Sequence, residues 1–151
     1  SLLAEMKVAR HWLGGRGRDI GAEALVQMGT KTAATIAGLA DRLGRLDAER
    51  PADLAVFERS HEDSWESVAQ STPAEVNLVM IGGDVAYIRE DWLEGLGAED
   101  HQDHLEPLWA WGKRMVLDTS YVAGREEAQP RLAEIRASLI VAYPNIGPVF
   151  A

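Results

Sequence analysis

The stretch EDHQDHLE, residues 99–106, holds the residue types that come closest to metal chemistry in this chain. In a helix, His101 and His104 would lie three apart on one face with Asp103 beside them, and two imidazoles with a carboxylate could hold zinc. No further ligand is close in sequence and the run is rich in Asp and Glu, so a solvated surface segment is the preferred reading. GGRGRDIG, residues 14–21, offers glycine amides with Arg16 and Arg18, which could meet a phosphate. It follows a helical pattern rather than a strand, and it lacks both the Gly-Lys-Ser/Thr ending and the Gly-x-Gly-x-x-Gly spacing, so it reads as a helix-to-helix loop. Ser60, His61 and Asp63 are neighbours in sequence, which does not make a catalytic triad, and no Gly-x-Ser-x-Gly elbow is present. Asp118-Thr119-Ser120-Tyr121 is read as a turn or strand end, and Trp92, Trp109 and Trp111 are expected to pack onto the rest of the fold rather than to stack a ligand. The residues taken alone therefore assign no catalytic, cofactor-binding or metal-ligating position.

Length and charge narrow the classes further. A chain of 151 residues suits one ordinary domain, and 46% hydrophobic with 26% charged residues is the composition of a globular protein. The net charge of −9 argues against nucleic acid, whose phosphates need a surface lined by Lys and Arg. No apolar run approaches the ~20 residues of a membrane span, so no membrane association is expected. With no cysteine there is neither a disulfide framework nor thiolate chemistry, which fits a reducing, cytoplasmic setting.

The elements that would position any site follow from periodicity. Residues 2–13 show helical spacing in Leu2, Leu3, Met6, Ala9 and Leu13. Asp19 is expected to cap a second helix over 20–28, with Ile20, Ala24, Leu25 and Met28 as its apolar positions. Thr30 is expected to cap a third, KTAATIAGLADRL, in which Ala33, Ile36, Ala37 and Ala40 form a small-residue stripe that predicts a buried helix stopped at Gly44. Beyond it, Pro51-Ala52-Asp53 reads as a turn, LAVF as a short strand and EDSWESVAQS as a helix starting near Glu62 or Asp63. EVNLVMIGGDVAYIRE is β-rich on both sides of Gly82-Gly83, a hairpin signature. Residues 91–112 contain six acidic residues and no Lys or Arg, and are expected to be weakly ordered. A last helix is expected from Pro130 to Ala142, ended by Pro144.

MGTKTAATIAGLADRLGRLDAERPADLAVFER, residues 28–59, resembles the closing segment of metal-dependent amidohydrolases of the chlorohydrolase and cytosine-deaminase type. Met28, Thr30, Ala34, Gly38 and Leu39 match the helix of that segment, Gly44 and Leu46 its turn, and Ala52, Asp53 and Leu54 its strand entry. The hairpin VNLVMIGGDVAYIRE is similar to the strand pair that follows, so the likeness runs over roughly residues 2–90 in order. One departure concerns Ala48-Glu49, which stand where the family often has Pro-Gly; Glu tolerates a left-handed backbone poorly, which puts the shape of this turn in question.

The resemblance implies an α+β, incomplete fold. Residues 1–43 would be the last helices outside a TIM-like barrel, residues 44–90 the C-terminal share of a small β-sandwich built from both chain ends, and residues 91–151 an acidic connection with a C-terminal helix. The family's metal ligands, a His-x-His pair, two further His and an Asp, would lie upstream of the matched region. His11, His61, His101 and His104 are the only histidines and none falls at a ligand position, so no site residue is carried over. The resemblance thus implies the C-terminal portion of a hydrolase of amide, amidine or halide-bearing carbon. Zinc or iron belongs to the full-length parent, and the rest of the barrel and further copies of the chain are the expected partners. The rival expectations are an autonomous acidic binding or scaffold domain and, more remotely, a small hydrolase built on His101 and His104.

Overall fold

The computed structural model describes residues 1–97, 104–119 and 131–150. The chain divides into two compact units, Ser1–Val85 and Ala86–Ala151. Helices and five strands make up an α+β arrangement, and the strands form one open sheet in the order β1-β2-β3-β5-β4, antiparallel at β1–β2, β3–β5 and β5–β4.

In the first unit, α1 (Leu2–Gly14) and α2 (Ala22–Gly29) are the two amphipathic helices expected from spacing. The N-cap of α2 is Gly21 and makes no side-chain cap bond, so Asp19 does not cap it. Met6, Ala22, Leu25 and Ala69 form the core of this unit, with Leu3, Ala9, Ile20 and Val26 packed against it. Of the four apolar positions expected for α2, Leu25 is buried, while Ala24 and Met28 are exposed.

The third helix departs from its expectation. α3 runs only from Lys31 to Ile36. Thr30 stands at its N-cap position without capping it, because its hydroxyl donates backwards to the carbonyl of Val26 at 2.8 Å. The helix ends early because Gly38 takes a left-handed φ of +71°. Leu39 N–H then donates to the Ala34 carbonyl at 2.8 Å and Gly38 N–H to the Thr35 carbonyl at 3.2 Å, the paired bonds of a Schellman cap. With only six helical residues, the small-residue stripe is not buried: Ala34 alone is inside, and Ile36 is 83% exposed.

The turn that follows keeps its left-handed step without glycine. Glu49 itself adopts φ +66°, so the shape questioned on sequence grounds is retained under strain. A residue with a Cβ costs roughly 1–2 kcal/mol in that region, against a smaller entropic cost for glycine. Glu49→Gly is therefore expected to stabilise the fold by up to about 1 kcal/mol, read as a rise in the urea midpoint; a fall would show that the Glu49 side chain contributes more than its backbone costs.

β1 (Leu54–Phe57) pairs with β2 (Val76–Ile81), with Leu54 opposite Met80 and a register irregularity between Val56 and Phe57. Between them lies α4 (Ser64–Gln70), capped by Asp63, whose Oδ1 accepts from Trp65 N–H at 2.9 Å. Gly82 and Gly83, at φ +62° and +99°, turn β2 into β3 (Asp84–Arg89), as the hairpin signature predicts.

In the second unit, β3 pairs with β5 (Lys113–Asp118), and β5 with β4 (Leu105–Ala110). Ile88 lies opposite Val116, and both are buried together with Met115. The expectation of a weakly ordered stretch over 91–112 fails for its second half, because residues 105–110 are a regular strand. β4 stands at the end of the strand order, an edge position that tolerates Pro107 and its missing N–H. Its turn to β5 is made by Trp111 and Gly112, both in the left-handed region at +56° and +75°. α5 spans Leu132–Ala142 and is followed by a 3-10 turn beginning at Pro144.

Candidate functional site

The chemistry-bearing stretches are dispersed. Of the metal-like segment, His101 and Asp103 lie outside the described residues, and His104 is exposed. Its last member, Glu106, is engaged otherwise: Oε1 accepts from Leu132 N–H at 2.6 Å and from the Thr119 hydroxyl at 3.3 Å, and Oε2 accepts from Ala133 N–H at 3.4 Å. Burial works to raise the pKa of this carboxyl, but those donors and Arg131, 3.9 Å away, outweigh it and hold the value below the usual glutamate range. Among the described residues, no group of three or more His, Cys, Asp or Glu is placed to hold a metal ion.

The glycine–arginine loop is a helix terminus. Arg16 lies over the Trp12 ring at 3.6 Å, and its Nη1 donates to the Trp12 carbonyl at 3.4 Å, so this guanidinium closes the end of α1. Ser60 and His61 do meet, with Ser60 Oγ 2.8 Å from Nδ1, yet Asp63 is spent on capping α4 and completes no triad. Arg59 donates to the carbonyls of His61 and Glu62, and the Ser67 hydroxyl accepts from His61 N–H at 3.0 Å, which ties the loop into α4. Trp109 and Trp111 are 71% and 62% exposed, so they do not pack onto the fold as expected; Trp92 has Arg89 over its ring at 5.4 Å.

An apolar groove of about 810 Å³ lies in the first unit, with Leu2, Met6, Ala33, Leu39, Leu43 and Phe57 among its lining. Around it stand exposed apolar residues that a closed surface would cover, Leu2 at 56% and Leu46 at 67%. Two of the polar groups at its edge are engaged within the fold. Asp53 Oδ1 accepts from Gly82 N–H at 2.6 Å, and Arg45 pairs with Asp47 at 2.6 Å.

These contacts give a physical reason for several residues of the sequence pattern. Gly44 (φ +90°) sits where an added Cβ would lie 2.8 Å from Ala34 Cβ and 3.0 Å from both Lys31 Cα and the Thr30 carbonyl oxygen. Thr30, Ala34 and Gly44 therefore form one close-packed corner, while Gly38 and Leu39 cap α3. Asp53 joins the strand entry to the Gly82-Gly83 turn, and Gly83 N–H donates to the Ala52 carbonyl at 3.3 Å. The pattern builds a helix-turn-strand corner and its attached hairpin.

The amidohydrolase family model matches residues 1–86, more than half of the chain, and the chain belongs to the amidohydrolase family. Comparison with curated proteins and with solved structures returned no match. The histidines among the described residues build no common site: His11 is exposed on the last turn of α1, His61 is hydrogen-bonded to Ser60, and His104 is exposed, two residues from the carboxylate that bonds α5. No step of hydrolysis is assigned to them.

One contact invisible to local sequence reasoning joins α1 to α4. Arg10 Nη1 and Glu66 Oε1 meet at 2.6 Å across 56 residues, both side chains only partly exposed, and Gln70 donates to the same oxygen at 2.9 Å. The Arg10 bond, followed by that from Gln70, holds the Glu66 carboxyl below its ordinary value of 4.5. A depressed folded pKa means that the stabilisation is fully present above that value and is lost as pH falls through the lower folded one. Glu66→Gln is expected to cost about 0.5–1 kcal/mol near neutrality and to flatten the stability curve below pH ~4.5. Urea titrations of both proteins across acid pH measure this, and parallel curves would contradict it.

Proposed function

We propose that this chain forms the non-catalytic helical flank and part of the companion sheet of a metal-dependent amidohydrolase of the chlorohydrolase or cytosine-deaminase type. In this reading α1, α2 and α3 lie on the outside of a TIM-like barrel, and the residues that hold zinc or iron belong to barrel strands outside the matched segment. The parent reaction would be hydrolysis of an amide, amidine or halide-bearing carbon, with this chain alone catalytically inactive. The observation that carries the reading is the apolar groove with its exposed surround, on the same 86 residues that match the family. Leu2, Leu39 and Leu46 line the groove and remain exposed, an apolar surface of the kind that marks an interaction face.

Light scattering of the isolated chain over a wide concentration range tests this. Self-association that grows with concentration is expected, as the apolar surface finds a substitute partner. A single monomeric species throughout would instead favour an autonomous acidic binding domain whose groove serves a ligand of its own.

A further inference from the structure

The glutamate at the end of the metal-like stretch performs a task that the amidohydrolase reading does not absorb. The N-cap side chain of α5, Arg131, makes no cap bond, and within the first turn Glu134 accepts only the Arg131 N–H, at 3.2 Å. The first two amides of the helix are taken up by Glu106, a residue of the edge strand 26 positions earlier. A carboxylate at this place satisfies orphan donors and meets the positive end of the helix dipole. None of the residues of α5 is buried, and Val141 is 82% exposed.

We propose that Glu106 is a charge-dependent latch that holds α5 against the edge of the sheet, and that loss of its charge releases the helix. With the carboxylate ionised, Leu132 and Ala133 N–H groups and the Thr119 hydroxyl converge on it. Protonation removes the charge and puts a donor where acceptors are needed, on a helix none of whose residues is buried. Arg131 stands 3.9 Å from Oε1 and favours the latched form, and Glu134 is occupied by Arg131 N–H at 3.2 Å. Asp118 lies opposite Leu105, so strand alternation turns it to the other face from Glu106, and His104 is exposed two residues away.

Hydrogen exchange on the full chain tests the latch. At neutral pH, Glu106→Gln and Glu106→Ala are each expected to speed exchange over residues 132–142 by ~10-fold or more, the value of a helix cap, while α2 and β2 exchange as in the parent and report an intact fold. As pH is lowered through the carboxylate range, the parent, corrected for intrinsic exchange, is expected to acquire the same loss of protection, and Glu106→Gln to show no further change. Unchanged protection of residues 132–142 in both variants would overturn the proposal. So would an acid-induced release that persists in Glu106→Gln, because it would place the titrating group elsewhere.

Discussion

Replacing Gly44 with alanine is expected to destabilise the chain by roughly 2–4 kcal/mol, one of the two largest effects predicted here. Two separate costs act at this position. Its φ of +90° lies in the region where a side chain is strained, at roughly 1–2 kcal/mol. The added methyl would also sit 2.8 Å from Ala34 Cβ and 3.0 Å from two backbone atoms of α3 and its cap, which cannot swing aside as a flexible side chain would. Gly38 supplies the control: its φ is +71°, yet nothing lies within 4 Å of an added Cβ, so Gly38→Ala is expected to cost only the conformational part. Denaturant midpoints that fall much further for Gly44 than for Gly38 would support this packing. Equal losses would mean that the corner relaxes freely. Ala34→Gly placed behind Gly44→Ala should recover part of the loss, since it removes the closest of the three contacts.

Leu25→Ala is the second large effect. Leu25 is 2% exposed and centres a core whose other buried members are Met6, Ala22 and Ala69. Two of these are alanines, which cannot swing into the space left behind. Deletions of this kind cost roughly 2–5 kcal/mol, and the lack of mobile neighbours points to the upper half of that range. Against a typical total of about 5–15 kcal/mol, such a loss leaves little of the first unit's stability. Thermal melts followed by circular dichroism should show a markedly lower midpoint. A change under about 1 kcal/mol would contradict the placement of Leu25 at the centre of the core.

How far the fold could be read from sequence depended on the range of the forces involved. α1, β1, α4, the β2–β3 hairpin and α5 were legible, because each carries a local signal: apolar spacing, an Asp63 cap or a Gly-Gly turn. α3 was overextended because its apolar spacing continues past Gly38, whereas the cap that ends it depends on the left-handed backbone of that one residue. β4 was missed because acidic composition and Pro107 hide its alternation, and because its turn uses Trp111 rather than Asn or Asp before glycine. The bonds of Arg10 to Glu66 and of Glu106 to Leu132 span 56 and 26 residues, and no local pattern announces either. The family pattern was legible for a related reason. Ala34, Gly38, Gly44 and Asp53 answer to close packing, left-handed backbone and one bond to Gly82 N–H, all constraints of local geometry.

The central claim is that this chain contributes scaffold to an amidohydrolase whose metal chemistry resides on other residues. Elemental analysis of the purified full chain, after exposure to zinc and iron and exhaustive dialysis, tests it most directly. Far less than one equivalent of either metal per chain is expected, with Ala replacements of His101 and His104 changing nothing. One equivalent of tightly held metal that disappears on replacing those two histidines would contradict it and place a metal centre within this chain.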